Sequence, residues 1–207
     1  MADFENRQGP YKGWPEPLRR ERLARLLRIV NRHIIGSVSV SVERNRYDAI
    51  VDEEMSRLVG GPYGLLAMQC FIVTSRIIED HRQQLKISGN DYAIAYMLED
   101  GAIGKGQIMK AYEGVKGDKD KREITHITSL TFAGKREIRP LQAADIVAYE
   151  TYKEVVRRSQ NGTRPVRYPL EQLRTSPHEW IHSSEEFMRD RVRVFNNVAG
   201  RAEESSG

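Results

Sequence analysis

The 207-residue chain has one cysteine, two tryptophans, and no apolar run near the roughly 20 residues that a membrane-spanning helix needs. Cys70 alone excludes an internal disulfide and points to a reducing, cytoplasmic setting. Its neighbours Met68, Phe71 and Ile72 would raise a thiol pKa, which argues against a thiolate nucleophile. The start, Met1-Ala2-Asp3-Phe4-Glu5, has neither a basic flank nor an apolar stretch, so no secretory signal is expected. Internal repeats and low-complexity segments are also missing. Cofactor signatures are scarce. Gly101, Gly104 and Gly106 miss both common phosphate-loop spacings, and the histidines have no Cys partner. His178 and His182 stand four apart but lack the glutamate of a zinc protease, and the expectation is that they flank the start of a surface helix.

What the chain does have is arginine. Lys and Arg number 33 against 29 acids, a net charge of +4. Arg19, Arg20, Arg22, Arg25, Arg28 and Arg32 crowd one helix, and Arg157, Arg158, Arg164 and Arg167 form a second group. Either group is suited to phosphate neutralisation, and either also suits a plain solvated face. With 39% hydrophobic and 30% charged residues, the composition is that of a soluble globular protein. The length fits one domain over residues 1–199, with its core at about 16–160, and a disordered tail at 200–207.

Hydrophobic periodicity places the elements. After a loop-like start with Gly9-Pro10, Gly13 and Trp14-Pro15, Pro17 opens a helix to about His33. Val38, Val40 and Val42 alternate with Ser37, Ser39 and Ser41, the signature of a strand with valines buried on one face. A short helix over 47–59 stops at Gly60-Gly61-Pro62, and a long, nearly all-round apolar helix follows over 64–85. Strands are expected over 91–98 and 125–132, a helix over 104–114, and a charged loop over 116–122. A loop with Pro165 and Pro169 leads to a last amphipathic helix over about 184–198, where Phe187, Val192, Val194 and Phe195 seek a core. Strands separated by helices indicate an α/β domain. Three strands are few for so apolar a helix, so the sheet reads as incomplete.

Arg139-Pro140-Leu141-Gln142-Ala143-Ala144-Asp145 opens another helix. At 100° per residue Leu141, Ala144, Ala148, Tyr152, Val155 and Val156 share one side, with Asp145 among them. On this reading Asp145 points inward, while Glu150, Glu154 and Arg157 form the solvated face. An inward carboxylate needs a partner, whether a metal ion, a base, or an arginine such as Arg76 or Arg139. A helix cap is disfavoured because Asp145 lies past the first turn.

The block from Arg139 to Tyr149 resembles the Leu-Gln-x-Ala-Asp helix of the family called domain of unknown function 3800. Met97-Leu98-Glu99-Asp100-Gly101 is similar to its acidic strand end. Residues 1–15 are similar to a segment that lies inside longer members. The resemblance implies a ribonuclease H-like three-layer α/β domain with a mixed sheet, here shortened at its N-terminus, because the family's opening Asp-Glu-Ser-Gly strand is missing. It also implies a divalent-metal nuclease in which Asp145 and Glu99, with Asp100 beside them, hold Mg²⁺ or Mn²⁺ through hard oxygen ligands. Asp3 and Glu5 are further candidates, and Tyr112, Lys116, Lys119, Lys121 and Arg122 a basic rim. Asp100-Gly101 is equally ordinary turn chemistry. The other reading is a non-catalytic remnant of that fold that binds nucleic acid or protein, with a homo-oligomer covering its sheet edge.

Overall fold

A computed structural model describes residues 2–87, 92–101, 103–134, 137–160 and 163–193 of the chain. The architecture is α/β, with short parallel strands among many helices. Helices α1 (Ala2–Glu5) and α2 (Glu16–His33) precede β1 (Ser37–Val42). Helices α3 (Arg44–Ile50), α4 (Glu53–Val59) and α5 (Gly61–Asp80) lead to β2 (Ile94–Glu99). Then come α6 (Lys105–Gly117), α7 (Lys119–Thr125), β3 (Ile127–Ala133), α8 (Arg139–Ser159), α9 (Tyr168–Leu173) and β4 (His178–Ser183). Residues 185–193 are helical. The strands pair as β1 with β4 and as β2 with β3. Among the described residues no single helix is long and apolar enough to cross a membrane.

The chain divides into two compact units, Met1–Ser39 with Ala133–Trp180, and Val40–Phe132 with Ile181–Gly207. In the first, α2 and α8 pack around α9. Leu27, Val30, Ile146, Val147 and Leu173 form the core, with Leu23, Ile34 and Ala143 against it. Pro17 sits in the first turn of α2, where a missing N–H costs nothing, and Arg32 and His33 end it with the charge that its dipole favours.

The second unit has two apolar clusters. Phe71, Tyr112, Val115 and Ile127 join α5, α6 and β3 beneath the β2–β3 pair. Tyr47, Val51, Met55 and Met188 join α3, α4 and the helical residues 185–193. Strand β2, the two helices after it, and β3 make a crossover with a parallel return, in which the Ile94 N–H donates to the His126 carbonyl at 2.8 Å.

Several expectations change. The helix foreseen over 47–59 is two helices, because Asp52 accepts a hydrogen bond from the Met55 N–H and caps a new one. The foreseen charged loop at 116–122 contains α7, capped in the same way by Asp118 on the Lys121 N–H. In β1 the most buried residue is Ser39, not a valine, because its hydroxyl accepts from Thr151 at 2.9 Å. His178 and His182 lie on β4 instead of beside a helix start. Val194 and Phe195, and the 200–207 tail, lie outside the described residues.

The elbow between α4 and α5 is the tightest backbone approach. Gly60 caps α4 with φ 77°, a left-handed conformation that a side chain strains. The two helices meet there at 44°. The Gln107 carboxamide lies over the joint and accepts from the Tyr63 N–H at 3.1 Å. A Cβ on Gly64 would stand 2.2 Å from the Val59 carbonyl oxygen. Gly64→Ala is therefore expected to destabilise the protein by about 1–3 kcal/mol in chemical denaturation, the cost of overpacking a site that cannot relax. An unchanged midpoint would show that the elbow yields.

Candidate functional site

Helix α8 is rotated away from the orientation that its apolar side suggests. Ile146, Val147, Glu150, Thr151 and Glu154 are buried, whereas Ala144, Ala148 and Tyr152 are exposed. Asp145 lies across the helix from the buried face and is half-buried. The expected inward face of the helix is thus the outward one. Two glutamates expected in solvent are instead shut away, Glu150 at 0% exposure and Glu154 at 2%.

Arginines make this burial tolerable. Arg167 donates to Glu150 at 2.8 Å and to Glu5 at 2.6 Å. Burial alone would lower the Arg167 pKa, but the bonds and charges of Glu150 and Glu5 outweigh it, and the guanidinium is held charged. Arg157 grips Glu154 with two bonds, at 2.7 and 2.8 Å, and Arg158 adds a third at 2.8 Å. The hydrogen bond from Arg157, ahead of that from Arg158, pulls the Glu154 carboxyl from 4.5 down to about 2. Arg158 also lies over the Trp180 ring at 4.4 Å. In the second arginine group, Arg157, Arg158 and Arg167 are therefore structural ion-pair partners, not free phosphate ligands.

The first group divides. Arg19 is buried, donating to Glu16 and to the Phe4 carbonyl, each at 2.8 Å, with its guanidinium over the Phe4 ring. Arg20 is tied to Glu16 at 3.1 Å. Arg22, Arg25, Arg28 and Arg32 are exposed, and none forms an ion pair or side-chain hydrogen bond with a described residue. At 100° per residue these four occupy an arc of about 120° opposite the Leu27–Val30 core face. They extend over about 15 Å of helix axis. Glu21 lies in the same arc and makes no ion pair with Arg25. Leu26 and Ile29, 39% and 50% exposed, add apolar contact beside the row.

The foreseen acidic residues are divided between the two units. Asp145 belongs to the first unit, Glu99 and Asp100 to the second. Asp145 and Glu99 each already engage an interaction partner. Asp100 is exposed and bound by Lys105 at 2.7 Å, and that hydrogen bond holds its carboxyl below the usual range. Glu5 is taken by Arg167, and the Asp3 side chain lies outside the described residues. Among the described residues no group of three or more His, Cys, Asp or Glu side chains comes together in a way that would hold a metal ion. In the foreseen basic rim, Tyr112 is buried in the second unit's core, and Lys121 is bonded to Asp118 at 2.8 Å.

Sequence reasoning missed the hydroxyl–imidazole pairing along β1 and β4. Ser37 Oγ lies 2.6 Å from His178 Nδ1, and Ser41 Oγ lies 3.0 Å from His182 Nδ1. Burial, then the charge of Arg174, lowers the His178 pKa. The matching 141-residue offset of the two pairs was the signal, but it is invisible until β4 is known to be a strand.

No protein-family model, no curated protein and no solved structure matches the chain.

The Glu154 cluster generates a pH dependence. A carboxyl whose folded pKa lies below its unfolded value contributes stability that is present above the unfolded value, near 4.5, and is lost as the pH falls toward 2. Glu154→Gln is expected to remove on the order of 2–3 kcal/mol at neutral pH and to flatten the stability profile between about pH 5 and pH 2. Denaturation midpoints across that range check it, and an unaltered acid slope would mean that the pair contributes nothing.

Proposed function

We propose that the chain binds nucleic acid along its sugar–phosphate backbone, with Arg22, Arg25, Arg28 and Arg32 of α2 as the phosphate contacts. One observation carries this reading: among the described residues, four guanidiniums in one row stay without acidic partners, while Arg19, Arg20, Arg157, Arg158 and Arg167 are taken up by Glu16, Glu154 and Glu150. Arginine presents up to five donors in a planar fork suited to phosphate oxygens. Over the 15 Å of the row, a duplex displays on the order of nine charges, more than enough to engage every member. Such contacts position a backbone and read no sequence, so recognition is expected to be largely indifferent to base order.

A ribonuclease H-like architecture is part of the same proposal. Its support is the resemblance of the Asp145 helix and the Glu99 strand end, together with the parallel crossover from β2 to β3. A metal-dependent phosphoryl transfer would need a third hard ligand beside Asp145 or Glu99. The reading adopted here is accordingly the binding one, with no catalytic step assigned.

Binding is tested by fluorescence anisotropy of labelled duplex and single-stranded oligonucleotides over a salt series. The logarithm of affinity should fall linearly with that of salt, by about 0.9 per phosphate neutralised on duplex DNA. Arg25→Glu combined with Arg32→Glu should cost at least about tenfold in affinity and lower the slope by about two. Asp145→Asn should bind like the unaltered chain, and neither should cleave in Mg²⁺ or Mn²⁺. Salt-insensitive binding, or none, would sink the proposal. Metal-dependent cleavage lost in Asp145→Asn would replace it with the nuclease reading.

A further inference from the structure

The second unit contains a groove of about 910 Å³ with an unusual floor. The ring of Tyr92 stacks on the imidazole of His126, with centroids 4.0 Å apart and planes inclined by 27°. Both side chains line the groove. Tyr92 is held by Ser75, a buried residue of α5, whose hydroxyl donates to the Ile124 carbonyl at 2.8 Å and lies 3.2 Å from the Tyr92 hydroxyl. Ile72 and Ile124, 43% and 60% exposed, supply apolar wall.

The rim carries both signs of charge on both of its helices, Arg76, Glu79 and Asp80 on α5 and Lys119, Arg122 and Glu123 on α7. Lys119 and Arg122 stand one turn apart on α7. Lys119 has only a loose partner, Glu123 at 3.7 Å, an exposed pair of small worth. Arg122 donates to the Lys116 carbonyl through one nitrogen of its guanidinium, leaving its other donors for a ligand. At the end of α5, Glu79 and Asp80 also line the groove. Glu79 is bonded to Arg82 at 2.8 Å.

We propose that this groove binds a nucleotide. A flat aromatic base stacks on the Tyr92–His126 pair, a single phosphate sits on Lys119 and Arg122, and ribose hydroxyls donate to the carboxylates of the α5 wall. Each part of such a ligand answers one feature of the groove. A preformed aromatic platform serves any base, because every base has a π-face. Lys119 and Arg122, neighbours on α7, suit a phosphate. The volume lies in the usual range of small-molecule clefts, about 300–1,000 Å³. The chemistry is shared by a free mononucleotide and by the terminal nucleotide of a strand. The inference is independent of the arginine row on α2, which lies in the other unit.

The test titrates AMP, ATP, inorganic phosphate and a short oligoadenylate into the full chain, following the His126 ring by NMR and affinity by calorimetry. AMP should bind saturably, move the His126 ring resonances, and outcompete inorganic phosphate. His126→Asn removes the ring and keeps the left-handed backbone at φ 50°, which asparagine tolerates better than most residues. It should weaken AMP binding by about tenfold or more. Lys119→Glu, at an exposed position, should weaken it severalfold without disturbing the fold. The Arg25→Glu, Arg32→Glu variant should bind AMP as before, so failure of the α2 reading and failure of this one are separable. Binding of the oligoadenylate alone, dependent on His126, would make a strand end the ligand. No His126-dependent binding of any nucleotide, or inorganic phosphate binding as tightly as AMP, would overturn the proposal.

Discussion

The first unit depends on two carboxylates that α8 takes out of water. A glutamate at 0% exposure is tolerated where a fixed cation reaches it, and Arg167, just ahead of α9, is that cation for Glu150. Through the same guanidinium Glu5 joins, so the first helix of the chain, α8 and the approach to α9 share one charge centre. Glu154, one turn further along α8, is held by Arg157 and Arg158. Buried ion pairs of this sort add little net stability over an apolar core, while loss of one partner costs about 3–5 kcal/mol. Their effect is to fix rotation. With Glu150 and Glu154 committed to the interior, α8 has one permissible roll, and Ile146 and Val147 are carried into the Leu27–Leu173 core with them.

That constraint explains where the sequence is legible and where it misleads. The strands at 37–42, 94–99 and 127–133 and the long apolar α5 announce themselves, because period-two alternation and all-round hydrophobicity leave few alternatives. The roll of α8 does not. Alanines at 144 and 148 are compatible with either side, whereas acids are conventionally assigned to solvent, an assignment that holds only when no arginine is near enough in space. Arg157 and Arg158 were in reach of Glu154 by spacing, three and four residues on, and pointed to a paired acid. Arg167 gave no such hint, since its link to Glu150 crosses a loop. Strand β4 was illegible for another reason: His-Glu-Trp-Ile-His-Ser has no alternating apolar face, and its fit to β1 comes from imidazoles meeting serine hydroxyls.

The arginine row on α2 was visible as composition and became a site only by subtraction. Arg19 and Arg20 have Glu16 at helical spacing, and the structure uses it. Arg28 and Arg32 have no acid three or four residues away on either side, which is the sequence signal that separates a displayed arginine from a structural one. Arg25 has Glu21 at such a spacing and still stands apart, so spacing marks candidates and geometry selects among them.

The same subtraction bears on Asp145. Its block reads as a buried stripe, yet Ala144, Ala148 and Tyr152 beside it remain exposed, and the core of the first unit is served by the opposite side of the helix. Packing within that unit therefore does not account for the exposure of Ala144, Ala148 and Tyr152 on this side of the helix. Asp145 already engages an interaction partner of its own. The acids that do the structural work of α8, Glu150 and Glu154, are saturated by arginine and have no capacity left for another ligand.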